Sequence, residues 1–332
     1  MTNPTTLAMI GAGRHARHNI YPCFAKARGL QVVAACDLDL DRAREVGQRV
    51  GIARAYADWR EMLDRERPEG VLICAGPKAH ADLAVAVLDA GFPVYTEKPP
   101  AVDADQARRM LAASQRSGRL CMTGFKKRYA PAYRKIKALI DDPRFGAPTL
   151  LNVVRSSGNY KGITDNPCDD YLLDSAIHVI DLSHFLFGPV ERVAAMSRGL
   201  GTFTISFAFA NGAVGTLSLT DRLSHERRWE SVTVVGDGAV CATVDNSVEM
   251  LAFHKGTPIA AHKPDFVAGA SDGHVEMGFV GELEAFAEAI RSGIAPSADI
   301  ASGVHTMELI EAVRRAVHDQ VVVDLRPVGA AV

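Results

Sequence analysis

The stretch LAMIGAGRHA, residues 7–16, passes from an apolar strand-like segment through a glycine-rich turn into a helical pattern. Gly11 permits a tight turn, Gly13 lets the backbone approach a pyrophosphate, and Ala16 supplies the third small residue, which helix-to-strand packing requires. A helix that begins here offers amide donors and a favourable dipole to phosphates. The hexapeptide GAGRHA alone also fits an ordinary βα turn, but its position between strand and helix predicts a dinucleotide site.

Short apolar runs alternate with amphipathic helical stretches up to about residue 123. Helical patterns run to Arg28, from Leu40 to Val50, and onward from His80 and from Asp103. The strand-like runs are LAMI (7–10), QVVAAC (31–36), VLICA (71–75), PVYT (93–96) and RLCMTG (119–124). Apolar strands separated by helices indicate a parallel sheet covered on both faces. We therefore predict an α/β fold that begins with a Rossmann-type, doubly wound dinucleotide-binding domain over residues 1–123.

The pattern changes at about residue 147 to longer alternating runs, several of them separated by Asn-Gly or Asp-Gly turns. Such runs indicate antiparallel strands. One strong helical pattern lies at roughly 171–187, and helical pattern returns over 280–318. Residues 124–332 are therefore predicted to form an α+β domain for substrate binding and oligomerisation. Its predominantly antiparallel open sheet would need covering by another subunit, in a homodimer or homotetramer.

Composition excludes several classes of partner. The formal net charge of −2 and the pI near 6.6 leave no overall basic field for nucleic acid or an anionic membrane. No basic region precedes the first apolar run, and no apolar stretch reaches the roughly 20 residues that span a bilayer. The cysteines form no C-x-x-C pair, which suits a reducing compartment. We expect a cytoplasmic protein directed at a small molecule.

Asp37 follows the second predicted strand, slightly beyond the separation of about 20 residues expected for an acid that binds the adenosine ribose. Its carboxylate can accept hydrogen bonds from both ribose hydroxyls and would repel a 2′-phosphate. This favours NAD over NADP. Two alternatives stay open: Asp37 is a solvated loop residue, or Arg42 attracts the phosphate of NADP.

The segment VYTEKPP, residues 94–100, ends a buried-looking strand with Glu97, Lys98 and two prolines. Proline fixes φ and lacks a backbone donor, so the strand cannot continue past Pro99 and Pro100. If the parallel strands end along one edge, Lys98 lies at the mouth of the ligand crevice. There it is either a solvated cap or a group that hydrogen-bonds the substrate or transfers a proton.

The helical segment DSAIHVIDLSHFL places Asp174, His178 and Asp181 at i, i+4 and i+7, on one face of a regular helix. A neutral His178 could accept a proton from a substrate hydroxyl as general base, while Asp174 orients that hydroxyl. The alternatives are the polar face of a surface helix and a metal pair. A metal needs further converging ligands, so no metal site is predicted.

These segments together resemble the Gfo/Idh/MocA-type sugar and cyclitol dehydrogenases, typified by glucose-fructose oxidoreductase and inositol 2-dehydrogenase. The resemblance covers nearly the whole chain. It is carried by GAGRHA (11–16), by Glu-Lys-Pro at 97–99, by GFKKRYAPAYRKIKALI (124–140) and by D-x-x-x-H-x-x-D at 174–181. It implies a nicotinamide-binding Rossmann domain, followed by a sheet domain that buries its face in a dimer or tetramer.

The resemblance also implies roles for individual residues. Lys98, Asp174 and His178 would surround the substrate carbinol as the catalytic set, with Asp181 supporting them. Lys126 and Lys127 match positions that contact substrate in family members, beside the catalytic set. The implied cofactor residues are Gly11, Gly13, Arg14, His15, Asp37, Gly76, Pro77, His80, Glu97 and Lys98.

Some residues depart from the family pattern. The glycine run that usually precedes the catalytic aspartate is here DDYLL (169–173), and Ala176 replaces a common glycine. Tyr171 is therefore expected to reshape the pocket wall beside Asp174. Lys126 replaces a residue that is often asparagine. Two interpretations fit the nearby cations Lys127, Arg128, Arg155 and Lys161. They bind an acidic or phosphorylated sugar, or they are solvated side chains where a helix begins.

The predicted function is NAD(P)-dependent hydride transfer between nicotinamide and a secondary alcohol or ketone of a sugar, sugar acid or cyclitol. Two alternatives use the same fold. One is a glycosidase that retains NAD and cleaves by transient oxidation and elimination. The other is a non-catalytic sensor that binds NAD, although a sensor need not keep a base beside a hydride acceptor.

Overall fold

The structure is a computed structural model that describes residues 3–157, 162–199, 201–223 and 229–326. The chain divides into two compact units: Met1–Lys126 with Gly278–His305, and Lys127–Met277 with Thr306–Val332. The predicted boundary near residue 123 stays a prediction. No sequence pattern indicated that residues 278–305 return to the first unit.

The first unit contains a six-stranded parallel sheet in the order β3-β2-β1-β4-β5-β6. The strands are β1 Thr5–Ile10, β2 Leu30–Cys36, β3 Arg54–Tyr56, β4 Gly70–Ile73, β5 Val94–Glu97 and β6 Cys121–Gly124. This order confirms the doubly wound prediction, because the strand sequence reverses direction between β1 and β4. The sequence reading missed β3 and the helix after it, since three residues are too few to show a periodicity.

The helices of this unit begin at capping residues that the sequence supplies. They are α1 Leu40–Arg49, α2 Trp59–Glu66, α3 Pro77–Asp89, α4 Ala104–Ser117 and, after the return of the chain, α9 Phe279–Ser292. Asp39 and Asp103 accept the backbone N–H of the third residue after them, which satisfies an orphan donor of α1 and of α4. Helix α9 packs on β1, where the Thr5 hydroxyl donates to the Ala287 carbonyl.

The first crossover is shorter and less regular than the predicted helix to Arg28. A π-helical segment, Ala16–Ile20, follows the glycine turn and leads into a 3₁₀ turn, Tyr21–Cys23. Pro22 lies in that turn and lacks the N–H that a continuing helix would need.

The second unit contains a nine-stranded sheet in the order β14-β13-β12-β11-β7-β10-β9-β8-β15. The strands are β7 Pro148–Ser156, β8 Val190–Ser197, β9 Thr202–Phe209, β10 Val214–Thr220, β11 Trp229–Gly236, β12 Val240–Asp245, β13 Glu249–His254, β14 Thr257–His262 and β15 Val323–Asp324. All neighbours are antiparallel except β7 and β10, which confirms the predominantly antiparallel prediction.

Helices cover one face of this sheet. They include α5 Pro131–Ile140, which packs on β12 and β13, and α7 Ile177–Phe187, which packs on β7. The described residues also form the helices α6 Pro167–Tyr171, α8 Gly273–Glu276 and α10 Ile300–Asp319. The strands also carry exposed apolar side chains, of which Val214 pairs with Leu150 across β10 and β7. The others, Met196, Trp229 and Leu251, pair with Thr204, Ser156 and Thr243. Within the described ranges, no helix has both the length and the apolar character needed to cross a membrane.

Candidate active site

The glycine turn after β1 has the geometry that the fingerprint requires. Gly11 has φ +105°, and a Cβ there would lie 2.2 Å from the Cys74 carbonyl oxygen, so only glycine fits. A Cβ on Gly13 would have no atom within 4 Å. Open space therefore lies beside the backbone at the position where the fingerprint brings a pyrophosphate. The turn thus fits a dinucleotide.

Asp37 follows β2 and is held rigidly beside this turn. Its carboxylate accepts the Ala12 N–H at 2.7 Å and the Asp39 N–H at 3.0 Å. The Arg42 guanidinium lies 3.4 Å from Asp37 and 3.0 Å from Asp39, so two carboxylates already engage this cation. An acid fixed at the end of the second strand fits a ribose diol. Arg42 is paired with Asp37 and Asp39, which disfavours its binding the 2′-phosphate of NADP.

Helix α3 also begins at this edge of the sheet, with Gly76 as its N-cap and Pro77 at its first position. His80, one turn into the helix, is buried, and its Nδ1 donates to the Pro99 carbonyl at 2.7 Å. Burial lowers the pKa of His80, although the bond to Pro99 opposes this, so the ring is neutral. His80 therefore anchors the backbone immediately after Lys98.

Lys98 follows β5 directly and is half-buried. Its backbone N–H donates to Glu97 Oε2 at 3.0 Å, and the Lys98–Pro99 peptide bond is cis. The Glu97 side chain and His80 thus hold the chain on both sides of this lysine. Both prolines beyond it are buried. The segment is fixed where parallel strands end, which is the position of a ligand crevice in such sheets.

Glu97 is a buried ionised carboxylate, with its Oε1 3.5 Å from the Nε2 atom of His15. Burial alone would raise the pKa of Glu97, but the charges of His15, Lys98 and Lys126 outweigh it and lower the pKa to about 2. The structure therefore brings three predicted site residues, His15, Lys98 and Lys126, close enough to influence the Glu97 carboxylate. Arg14 is exposed on the neighbouring turn.

Lys126 ends the first unit and is only 8% exposed. Its Nζ lies 3.7 Å from the centre of the Phe279 ring, which is a cation–π contact. The same ring lies 6.1 Å from the His15 ring. Phe279 begins α9, and the sequence analysis did not include it among the site residues. In the sequence, Phe279 stands only as an aromatic residue directly before the predicted helical pattern at 280–318, which does not indicate a role in the site.

The second unit carries Asp174 and His178 on one interrupted helix. Helix α6 passes into a π-helical segment, Leu172–Ala176, and then into α7. Asp174 lies within the π segment and is partly exposed, whereas His178 in the first turn of α7 is 8% exposed. Such π segments occur frequently at functional sites. The predicted spacing assumed an uninterrupted α-helix and could not include this change of winding.

Asp181 is bound by a cation from the basic run. Its two oxygens accept Arg128 Nε at 2.9 Å and Nη2 at 2.5 Å, and the Thr306 hydroxyl donates to Oδ1 at 3.1 Å. Both charged side chains are almost fully buried. The pair anchors Arg128 to α7, a supporting role compatible with the one that the resemblance implied for Asp181.

Lys127 lies in a second buried cluster, built around Glu230 of β11. Its Nζ forms an ion pair with Glu230 and donates to the Ser247 hydroxyl at 2.5 Å. Arg155 of β7 also pairs with Glu230, and its Nε donates to Ser175 Oγ at 3.2 Å. Burial would raise the pKa of Glu230, but the two cations outweigh it and hold the pKa far below its usual range. The predicted contact of Lys127 with substrate stays a prediction.

Tyr171, predicted to reshape the pocket wall beside Asp174, is buried against the sheet. Its ring stacks on Phe203 of β9, with centroids 6.0 Å apart and planes inclined by 6°. Lys161, part of the predicted cationic group, lies outside the described residues. Among the described residues, no group of three or more His, Cys, Asp and Glu side chains could hold a metal ion.

Comparison with known proteins identifies both halves of the chain. Residues 5–125 match the family model GFO_IDH_MocA, described as an oxidoreductase family with an NAD-binding Rossmann fold. Residues 165–325 match the model of the C-terminal alpha/beta domain of the same family. These matches confirm the resemblance that the motifs indicated.

Two curated relatives cover part of the chain. It is 34% identical over 186 residues to an inositol 2-dehydrogenase from Pseudomonas savastanoi pv. phaseolicola, which is 54% of this chain and 54% of that protein. It is 31% identical over 218 residues to a D-apiose dehydrogenase from Paraburkholderia graminis, which is 64% of this chain and 56% of that protein. The chain spans about half the length of the curated relatives it matches.

A solved structure supports the fold over a longer range. A dehydrogenase from Chromobacterium violaceum superposes with a TM-score of 0.87 at 23% identity, covering 96% of this chain and 97% of that one. This likeness shows the fold alone. The glycine turn, the doubly wound sheet and the two matched models establish that the chain belongs to the Gfo/Idh/MocA oxidoreductase family, with its NAD-binding Rossmann fold and C-terminal alpha/beta domain.

Proposed function

We propose that this protein is an NAD-dependent dehydrogenase that oxidises a secondary alcohol of a sugar, sugar acid or cyclitol, and reduces the ketone in the reverse direction. The observation that carries the proposal is the fixed position of Lys98. Its backbone is held by Glu97 and by the His80–Pro99 hydrogen bond at the end of a parallel strand. The names of the curated relatives, an inositol and an apiose dehydrogenase, support this substrate class.

NAD would be held at the carboxyl edge of the first sheet. The glycine turn at Gly11 and Gly13, with Arg14 and His15, would bind the pyrophosphate, and Asp37 would bind the adenosine ribose. The residues near the nicotinamide would be Gly76, Pro77, His80, Glu97 and Lys98. When bound, NAD supplies the acceptor for the hydride of the carbinol carbon. NADP stays a weaker alternative, because Asp37 would repel its phosphate.

Three side chains would act on the alcohol. Lys98 donates a hydrogen bond to the carbinol oxygen and stabilises the negative charge that develops there. His178 accepts the hydroxyl proton as general base, and Asp174 orients the hydroxyl and stabilises the imidazolium. Positioned proton transfer of this kind contributes about 10²–10⁴ in rate.

Lys126 and Lys127 complete the proposal as substrate contacts. Support comes from their match to substrate-contacting positions of the family. A substrate contact through the Lys126 ammonium would favour a substrate with an acidic group.

We also propose that a second copy of the chain covers the exposed face of the nine-stranded sheet. The exposed apolar side chains on these strands, Leu150, Met196, Val214, Trp229 and Leu251, support this, because open apolar sheet faces are usually covered by a partner. The cytoplasm is the proposed location, since the six cysteines are all free thiols.

A substrate panel tests the function directly. The protein is incubated with NAD and, separately, with sugars, uronic acids and inositols, and NADH formation is followed by absorbance, with NADP in parallel. The proposal expects NADH with at least one polyol or sugar acid. Release of free sugar from a glycoside without net NADH would instead indicate the oxidation–elimination glycosidase. Tight NAD binding without turnover on any compound would indicate a sensor.

A further inference from the structure

Two carboxyl groups interact with one tyrosine hydroxyl within the first unit. Glu97 and Tyr95 belong to β5, and Glu282 belongs to the first turns of α9. Glu97 is 3% exposed, and Glu282 and Tyr95 are fully buried. Glu282 is therefore a buried titratable group for which the proposed mechanism has no role.

The tyrosine hydroxyl has a space made for it. A Cβ on Gly124 would lie 2.4 Å from Tyr95 Oη, so a larger residue there would displace the hydroxyl. The phenol packs near the Phe286 ring of α9 at 6.0 Å. Its O–H donates to Glu97 Oε1 at 3.1 Å. The orientation of the hydroxyl is thus fixed, and its proton is donated to Glu97.

Glu282 cannot receive the same proton. Its carboxyl oxygens make no hydrogen bond of standard geometry with any residue that the structure describes, although the Tyr95 hydroxyl interacts with this carboxyl group too. An ionised carboxylate buried without donors is strongly unfavourable, and two neighbouring buried carboxylates cannot both stay ionised. A protonated carboxyl group, in contrast, has an O–H that can donate to the tyrosine oxygen.

We propose that Glu282 carries a proton at neutral pH and acts as a positioning residue, donating to Tyr95, which donates to Glu97, which accepts the Lys98 backbone N–H. The chain of hydrogen bonds runs from α9 to the lysine of the proposed dehydrogenase. The role of Lys98 in that chain rests on the proposed function; the protonation of Glu282 does not.

The surrounding charges favour this distribution of the single proton. Burial, and then the charge of Glu97, raise the pKa of Glu282 well above its usual value, whereas the pKa of Glu97 is lowered to about 2. The ionisable groups that interact with Glu282 or Glu97 include Cys74, His80, Tyr95, Lys98, Lys126 and His15. One negative charge thus lies behind Lys98.

Infrared spectroscopy of the whole protein tests the protonation without an activity assay. We expect the carbonyl stretch of a protonated carboxylic acid at pH 7 in the wild-type protein, and its loss in Glu282→Gln. Glu288→Gln, an exposed acid on the same helix, serves as the matched control and should keep the band. A wild-type spectrum without the band, or a band that survives Glu282→Gln, would overturn the proposal.

The positioning role is tested by turnover with a substrate from the panel. Glu282→Leu removes the donor and is expected to lower kcat about tenfold, with NAD affinity within about twofold of wild type. Glu282→Gln restores a neutral donor of nearly the same shape and should recover most of that loss. Wild-type kcat in the folded leucine variant, or a glutamine variant no better than leucine, would contradict the role. If no compound is oxidised, the proposed function fails while the infrared result still decides the protonation.

Discussion

Each unit contains a buried glutamate that accepts a tyrosine hydroxyl beside a lysine, but the two clusters are built differently. In the second unit, Glu230 is enclosed by the ammonium of Lys127, the guanidinium of Arg155 and two hydroxyls, from Tyr133 and Ser247. In the first unit, Glu97 accepts the Tyr95 hydroxyl and a backbone N–H. A second acid, Glu282, approaches the same tyrosine.

The difference separates a structural ion-pair network from a cluster suited to chemistry. Glu230 is surrounded by direct donors, so breaking any pair leaves a buried charge uncompensated. Glu97 instead accepts the backbone N–H of Lys98, lies within the field of His15, Lys98 and Lys126, and has a second buried acid, Glu282, as its neighbour. Substitutions in the second cluster should therefore change stability, and substitutions in the first should change reactivity.

The largest expected effect is on turnover, in Lys98→Ala. Removing the ammonium that stabilises the developing charge should lower kcat by about 10²–10⁴, with NAD binding retained. Lys135→Ala, an exposed lysine on α5, is the matched control. Both rates are measured as NADH formation on one confirmed substrate. An unaltered rate in Lys98→Ala would show that Lys98 takes no part in turnover. The first cluster would then not differ from the second in its effect on reactivity.

The next effect is on stability, in Glu230→Gln. This change leaves Lys127 and Arg155 buried without their carboxylate, which typically costs about 3–5 kcal/mol. The expected result is a large fall in the thermal unfolding midpoint. Glu288→Gln, whose pair with Arg291 is exposed, should change stability by about 1 kcal/mol or less. Equal midpoints for the two variants would show that the Glu230 cluster is not structural.

A smaller effect is expected on cofactor affinity, in Asp37→Ala. Losing hydrogen bonds to a charged acceptor should weaken NAD about 10- to 100-fold, since such bonds contribute about 1.5–3 kcal/mol. The same change releases Arg42 from one of its two carboxylates, so binding of NADP should weaken less or improve. Titration of both cofactors by fluorescence measures the ratio. An unchanged preference for NAD would mean that Asp37 does not face the ribose.

The smallest effect is a pH-dependent difference in stability between wild type and Glu282→Gln. The pKa of Glu282 is raised in the folded state above its ordinary value of 4.5, so its contribution is fully present below about pH 4.5 and is lost as pH rises through the folded-state pKa. Glutamine does not titrate. The variant should therefore gain a few degrees in unfolding midpoint relative to wild type as pH rises from 5 to 8. A difference independent of pH would contradict a raised pKa.

The contribution of Glu97 to stability should depend on pH in the opposite direction from that of Glu282. Its pKa is lowered to about 2, so its stabilisation is present above about pH 4.5 and is lost as pH falls towards 2. The unfolding midpoints of wild type and Glu97→Gln, compared over that acid range, distinguish the contribution of Glu97 from that of Glu282.

The fold followed from sequence because its signals are local. The turn at Gly11 and Gly13, the apolar strands and the Asn-Gly and Asp-Gly turns each indicate one structural feature within a few residues, and the parallel and antiparallel sheets confirm them. The π-helical segments at 16–20 and 172–176 were not predicted, because the sequence analysis assumed regular α-helical spacing.

Only those residues of the candidate site that belong to recognisable sequence motifs could be predicted. Lys98, Asp174 and His178 lie in recognisable segments and remain predictions until tested, whereas Glu282 and Phe279 belong to a helix that returns to the first unit from far along the sequence. A buried acid within an apolar helix face was visible in FVGELEAF (279–286), but only the fold reveals that it approaches Tyr95. The basic run at 126–128 was likewise uninformative, because its three members are used in different ways.

Hydride transfer is the central claim, and isotope labelling tests it most directly. A substrate identified by the panel is prepared with deuterium on the carbinol carbon and turned over with NAD, and the reduced cofactor is analysed by mass spectrometry. The account predicts one deuterium on each NADH formed, and almost no labelled NADH in the same time with Lys98→Ala or His178→Ala. Deuterium released to water, or undiminished labelling in both variants, would contradict it.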